Sequence, residues 1–146
     1  MKNYWPALAF ALTLAFIVLF SKPIYLVATT DPPPEYMVKN LEEQMGCAER
    51  LGFTVRRPIL RVMKKPPGWN EIQGWAHDVW PNSLIVLPPY GSYQIMAHEL
   101  GHVIDFQTDR KGHPDFEVIK YATMEGFADV IRDKILAECQ KPANRP

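Results

Sequence analysis

The chain has 146 residues, enough for one domain with a modest hydrophobic core. Its 16 basic and 16 acidic residues give a formal net charge of zero. The sequence has no basic field of the kind that binds nucleic acid and no acidic tract of the kind that buffers cations. We therefore expect no nucleic-acid partner.

The first thirty residues are predicted to be a targeting or anchoring segment. Lys2 supplies positive charge, and the stretch 7–20 is almost wholly apolar. This stretch is closer in length to a signal-peptide core than to a membrane span of about twenty residues, but the small-residue pattern for cleavage near Ala28 is weak. Two alternatives stay open. The segment is an uncleaved membrane anchor with the rest of the chain outside the cytoplasm, or it is removed near Ala28 and the protein is periplasmic or secreted.

Residues 31–146 are assigned to one globular domain, which starts with a stiff proline linker at 31–34. Hydrophobic periodicity and turn residues predict the remaining elements. Helices are expected over 35–51, 93–106 and 116–138, and strands over 53–63, 72–78 and 83–87. This order predicts an α+β fold in which a small mixed sheet is segregated from the helices.

The chain has two cysteines, Cys47 and Cys139, and they fall in the first and last of these helices. In an exported protein they can form a disulfide that ties the two helices together. Two free, partly buried thiols are the alternative.

The strongest chemical signal is the motif His98-Glu99-Leu100-Gly101-His102 in the helix over 93–106. Residues four apart share a helix face, so both imidazoles can bind one zinc ion. Zinc lowers the pKa of a bound water toward about 7, and Glu99 beside it can act as the general base. We expect Gly101 to remove a side chain near the metal.

A second motif, Glu125-Gly126-Phe127-Ala128-Asp129, lies in the last predicted helix. Glu125 can complete a site of two histidines and one glutamate, leaving the fourth coordination position to water. Asp129, one turn later, can accept the outer N–H of a ligand imidazole. Two solvated acids on an amphipathic helix are the alternative, and Asp105 or Asp109 would then be the third ligand.

With these two motifs the chain resembles the gluzincins, the group of zinc peptidases that includes thermolysin, and also the toxin-type catalytic domain of anthrax lethal factor. The resemblance covers roughly residues 50–140, but only the two motifs are specific. It implies a minimal zincin-like domain with one zinc ion per chain. The zinc ligands would be His98, His102 and Glu125.

The same resemblance implies that Glu99 is the base and that Asp129 supports His98. The related metzincin pattern is contradicted, because Asp105 and Thr108 stand where that pattern requires glycine and histidine.

The resemblance also implies that the strand before the last one lies along the substrate cleft and pairs with an extended peptide. In this chain that strand would present Gly74, Trp75, Ala76 and His77. Gly74 would permit close approach of the peptide, and Trp75 or His77 would line a subsite. Core packing of Trp75 and a solvated His77 are the alternatives.

Such enzymes also need a hydrogen-bond donor for the oxyanion, commonly a tyrosine or histidine. Tyr121 is the first choice, because a continuous helix would place it one turn before Glu125. His113, Tyr90 and Tyr93 are the alternatives.

The sequence thus predicts an exported zinc peptidase that acts on peptides or proteins and is attached to a membrane if its N-terminal segment is kept. One alternative is a non-catalytic zincin-like module at the cell envelope that binds zinc or a peptide. The other is a membrane-attached structural protein whose motif is coincidental.

Overall fold

The structure is a computed structural model that describes residues 5–64, 74–79, 82–108 and 123–141, without the side chains of 19–23 and 25–27. The described part is mixed α+β, with four helices and one four-stranded sheet, in agreement with the predicted fold class. In chain order the elements are α1 (Trp5–Ala28), β1 (Thr30–Asp31), α2 (Glu35–Arg50), β2 (Ile59–Met63), β3 (Trp75–Val79), β4 (Asn82–Leu87), α3 (Tyr93–Thr108) and α4 (Met124–Cys139).

Helix α1 contains the apolar N-terminal stretch. The large apolar side chains that the structure describes in α1, among them Trp5, Phe10 and Phe16, are more than half exposed. Within the described ranges, no helix combines the length and the apolar character needed to cross a lipid bilayer.

The sheet has the strand order β1-β2-β4-β3, with β2 and β4 parallel and both outer pairs antiparallel. The sheet starts earlier than the sequence predicts, because Thr30 pairs with Met63 directly after α1. Arg61 strengthens this pairing by donating to the Thr30 carbonyl at 2.6 Å. A two-residue strand next to three prolines has no period-2 pattern, so sequence analysis could not find it.

The predicted strand over 53–63 is shorter in the structure. Only Ile59–Met63 pairs with a neighbour, and Pro58 lies directly before it. Residues 53–58 carry no regular structure, although Phe53 is buried in the core. Proline lacks the backbone N–H that a ladder needs, which explains why the paired strand begins after it.

The main hydrophobic core lies between one face of the sheet and the helices α2, α3 and α4. Helices α3 and α4 have the most extensive contact between elements of the described chain, and Gly101 permits their close approach. A Cβ atom at Gly101 would lie 2.8 Å from the carbonyl oxygen of Ala128. Gly101 therefore allows α3 and α4 to pack closely, whereas we expected it to leave space near the metal.

The predicted helix over 116–138 is not continuous, because Thr123 is not helical and α4 begins at Met124, whereas residues 116–122 lie outside the described residues. Thr123 is extended, with ψ of 163°, and its hydroxyl accepts a hydrogen bond from the Gly126 N–H at 3.0 Å as an N-cap. The helix that was expected to carry Tyr121 one turn before Glu125 is thus interrupted. Tyr121 and His113 themselves lie outside the described residues.

A disulfide joins Cys47 of α2 to Cys139 at the end of α4, with the two Cα atoms 5.5 Å apart. Beside it, Arg50 forms an ion pair with Glu138 at 3.1 Å. The bridge closes a loop with a sequence separation of 92 residues. In the chain-entropy account, such a loop stabilises the fold by about 4–5 kcal/mol.

Candidate metal centre

The two histidines of the first motif lie on one face of α3, one turn apart. Their Nε2 atoms approach to 3.2 Å, and their rings meet edge to face with centroids 4.8 Å apart. His102 is buried, and its ring stacks on Phe106, one further turn along the helix. The helical spacing therefore brings two imidazole nitrogens to the same point, as the motif requires.

Glu125 reaches this point from the first turn of α4. Its Oε2 lies 3.2 Å from His98 Nε2, and its Oε1 lies 3.5 Å from His102 Nε2. One ligand atom from each of the three side chains lies within 4.8 Å of the other two, so the group can hold a metal ion. Asp105 is not a member of this group, and Asp109 lies outside the described residues.

Asp129 approaches the outer nitrogen of His98, with Oδ1 3.0 Å from Nδ1. This contact favours the tautomer with the proton on Nδ1, which leaves the Nε2 lone pair directed toward His102 and Glu125. The same Asp129 oxygen accepts a hydrogen bond from Arg132 Nη1 at 2.6 Å. Sequence reasoning did not single out Arg132, although its place three residues after Asp129 on a helix is a detectable signal.

Burial also affects the second histidine. It lowers the pKa of His102, against the opposing effect of the Glu125 carboxylate, so the neutral imidazole is favoured. Neutral imidazole is the form that binds metal.

Glu99 follows His98 on α3 and points toward the sheet. Its side chain is almost fully buried, with 4% of the residue exposed, and burial raises its pKa to about 7. The negative charge of Glu125 adds to this rise, and a hydrogen bond from the Ala76 backbone N–H partly opposes it. A carboxyl group with this pKa can both accept and release a proton near neutral pH.

Gly74 makes room for this carboxyl group. A Cβ atom at Gly74 would lie 2.8 Å from Glu99 Oε1 and 3.1 Å from Ile95 Cγ2. The sequence predicts that Gly74 allows close approach of a substrate, and Gly74 does line the cleft described below. The structure adds a second close neighbour, because it places Glu99 against Gly74.

A cleft of about 440 Å³ opens above the three-residue metal group. Apolar side chains of Ile95, Phe106 and Met124 form part of its wall. Strand β3 forms another part and is the outermost strand of the described sheet on this side. The cleft is large enough to take several residues of a peptide.

The predicted cleft residues of β3 do not all line this cleft. Gly74, Trp75 and Ala76 do, and Trp75 also packs on the cluster around Leu84 on the other face of the sheet. His77 is not part of the wall, and its ring centroid lies 6.5 Å from that of Trp75. It is half-buried rather than solvated.

The alternative oxyanion donors within the described chain are also placed elsewhere. Neither Tyr90 nor Tyr93 is among the described residues that line the cleft. Burial raises the pKa of Tyr93, and the nearby Glu43 carboxylate on α2 adds to the rise. The described residues therefore provide no tyrosine hydroxyl in the cleft wall.

In comparisons with known proteins, no family model, no curated protein and no solved structure matches this chain. The function must accordingly be argued from the chemistry and geometry of the site.

Proposed function

We propose that this protein is a zinc-dependent peptidase of the gluzincin type. The observation that carries the proposal is the position of Glu99, a buried carboxylate beside three converging metal-ligand atoms. A site that binds zinc only for structural stability has no need of a general base, and burying a carboxyl group costs stability.

The donor set supports zinc as the metal. Two imidazole nitrogens and one carboxylate oxygen are typical ligands of catalytic zinc. Two ligand atoms at zinc-bond distance from one tetrahedral ion lie about 3.4 Å apart. His98 Nε2 lies 3.2 Å from both His102 Nε2 and Glu125 Oε2, and His102 Nε2 lies 3.5 Å from the other Glu125 oxygen, Oε1. One ligand atom from each residue lies within 4.8 Å of the other two, so the three side chains are near the spacing that zinc requires.

Each group then has a defined role in peptide hydrolysis. Zinc, when bound, activates a water molecule and polarises the scissile carbonyl. The Glu99 carboxylate takes the proton of the attacking water and delivers it to the leaving amine nitrogen. Asp129 holds the His98 ring by its Nδ1–H, so that His98 Nε2 stays directed into the site.

The proposed substrate is a peptide in extended conformation. Strand β3 is the outermost strand of the described sheet and forms part of the cleft wall, and a peptide can pair with the edge of an outermost strand by strand addition. The Ala76 N–H is already engaged by Glu99, so carbonyl oxygens of β3 and the apolar cleft wall would make the main contacts. Tyr121 and His113 remain the predicted sources of an oxyanion donor.

We also propose that the protein is exported, as an anchored or a released form. The disulfide between Cys47 and Cys139 supports an oxidising compartment. The exposed apolar side chains of α1 support attachment to a membrane or removal as a signal peptide.

Metal content and peptide cleavage test the proposal together. Protein purified without chelator should contain one zinc ion per chain by elemental mass spectrometry. His98→Ala, His102→Ala and Glu125→Ala should each lose most of it, because each removes one of three protein ligands. Glu42→Ala is the matched control, because Glu42 is exposed and pairs only with Arg57 on the surface.

A peptide-library digest then distinguishes the alternatives. Cleavage that stops with a chelator and returns with zinc supports the peptidase. Stoichiometric zinc without peptide cleavage would favour the non-catalytic module. Protein that contains no zinc would show that the motif does not form a zinc site. If Glu125→Ala keeps the parental affinity, another acid is the third ligand.

A further inference from the structure

Helix α4 carries a stripe of carboxylates with one arginine among them. Glu125, Asp129 and Asp133 follow each other at intervals of four residues, so they project from neighbouring positions of one helix face. Like charges at this spacing repel each other. Arg132 lies where it contacts both Asp129 and Asp133.

The guanidinium of Arg132 bridges these two carboxylates with different nitrogens. Nη1 donates to Asp129 Oδ1 at 2.6 Å, whereas Nε and Nη2 each lie 2.9 Å from Asp133 Oδ1. The planar guanidinium has several N–H donors and can make both contacts at once. The single ammonium group of a lysine cannot reproduce this geometry. The Arg132 side chain is 31% exposed, so the bridge is partly shielded from water.

The Asp129 oxygen bound by Arg132 is also the one that lies 3.0 Å from His98 Nδ1. The Asp129 side chain is 51% exposed and could turn into solvent, away from Glu125, if nothing held it. Arg132 therefore restrains the rotamer that brings this oxygen to His98.

We propose that Arg132 is a positioning residue that holds Asp129 on His98 and thereby keeps His98 Nε2 directed at His102 and Glu125. This inference rests on the proposed metal site. Arg132 acts through Asp129, and its two carboxylate partners leave its charge largely neutralised within the cleft wall.

Zinc affinity, measured by competition with a chromogenic chelator, provides the first test. Arg132→Met should weaken zinc binding about 10-fold, since loss of outer-shell partners typically costs 10–100-fold. Arg132→Lys should restore part of the zinc affinity, because it keeps the positive charge but lacks the planar guanidinium. In an Asp129→Ala background, Arg132→Met should change the affinity by less than about twofold, because the residue through which it acts is gone.

Arg57→Met is the matched control, because Arg57 pairs with Glu42 on the surface and takes no part in the site. It should bind zinc like the parent. A parental affinity of Arg132→Met would overturn the inference. The inference would also be overturned if Arg132→Met lowered the zinc affinity as much in the Asp129→Ala background as in the parent. Arg132 would then act independently of Asp129.

A second measurement on metal-free protein separates this inference from the proposed function. Long-range nitrogen–proton correlation NMR at one alkaline pH reports which ring nitrogen of His98 carries the proton. In metal-free protein the Asp129 carboxylate favours Nδ1–H and the Glu125 carboxylate favours Nε2–H. The ratio of the Nδ1–H to the Nε2–H tautomer should therefore fall at least about twofold in Arg132→Met and stay at the parental value in Arg57→Met. If the parent binds no zinc, the proposed function fails, but this ratio still decides the role of Arg132. An unchanged ratio in Arg132→Met would overturn the inference.

Discussion

The two ends of helix α4 are held in different ways. At the disulfide end, Cys139 is joined covalently to α2, and Ile131 and Ile135 are fully buried. At the metal end, about 21 Å away along the helix, Glu125 is 70% exposed and is held by contacts with two histidines. One end of α4 is thus fixed covalently, whereas the other end presents an exposed carboxylate to the candidate metal group.

The buried side chains near the metal end strengthen this contrast. Glu99 is enclosed with its pKa raised to about 7, and His102 Nδ1 is buried with no hydrogen-bond partner among the described residues. Buried polar groups of this kind destabilise a fold when no partner compensates for the water that they lose. The disulfide end offsets this loss.

The largest expected effect comes from breaking the disulfide end. Cys47→Ser with Cys139→Ser should lower the free energy of unfolding by about 4–5 kcal/mol, because the unfolded chain regains the entropy of an open loop. Urea denaturation of both proteins measures the loss. At a temperature where the variant stays folded, it should still bind zinc at the parental stoichiometry, since the site lies at the other end of α4. Loss of zinc from the folded variant would contradict the separation of the two ends.

An intermediate effect is expected from Glu99 in metal-free protein. Its pKa of about 7 in the folded state lies above the ordinary value of 4.5, so the folded state favours the protonated form. The unfavourable contribution is absent below pH 4.5, grows as the pH rises, and is complete above pH 7. It amounts to about 3 kcal/mol for this burial.

Urea denaturation with chelator at pH 5 and pH 8 tests this. The stability advantage of Glu99→Gln over the parent should grow by about 2.5 kcal/mol between the two pH values, because a small part of the contribution is already present at pH 5. Glu42→Gln is the matched control for replacing a glutamate by its amide, because Glu42 pairs with Arg57 on the surface, away from the site. A constant difference for Glu99→Gln would show that Glu99 titrates normally.

A smaller change is expected from Gly74→Ala. The added methyl group would displace the Glu99 carboxyl group, while the backbone of Gly74 does not require glycine, because its φ is not positive. We expect turnover of a cleavable peptide to fall about 10–100-fold with zinc affinity unchanged, as displaced catalytic groups typically lose this much. Gly46→Ala on α2 is the control, since its Cβ would only meet Arg50 Nη1 at 3.7 Å. If Gly74→Ala cleaves the peptide at the parental rate, Gly74 has no role in positioning Glu99.

The sequence predicts the part of the site that depends on helical spacing. His98 and His102 are one turn apart, and so are Glu125 and Asp129, and the structure brings these four side chains together. Short-range spacing is encoded locally, so a motif on a helix can be placed before the fold is known.

The contacts that depend on tertiary structure could not be predicted. Nothing in the sequence around Gly74 indicates that Glu99 will lie against it, because the two belong to different elements. The sequence predicts a helix that continues through Thr123, although Thr123 followed by an acidic first turn is a typical helix start. Apolar residues recur on both sides of Thr123, and this periodicity masks the capping signal.

Comparison of Glu99→Gln with the parent tests the central claim most directly. The amide cannot accept a proton, but it removes no metal ligand, so the variant should keep one zinc ion per chain. Its turnover of a peptide that the parent cleaves should fall by at least about 10²–10⁴-fold, the usual contribution of a general base. Glu99→Gln that binds zinc and cleaves at the parental rate would contradict the proposed mechanism.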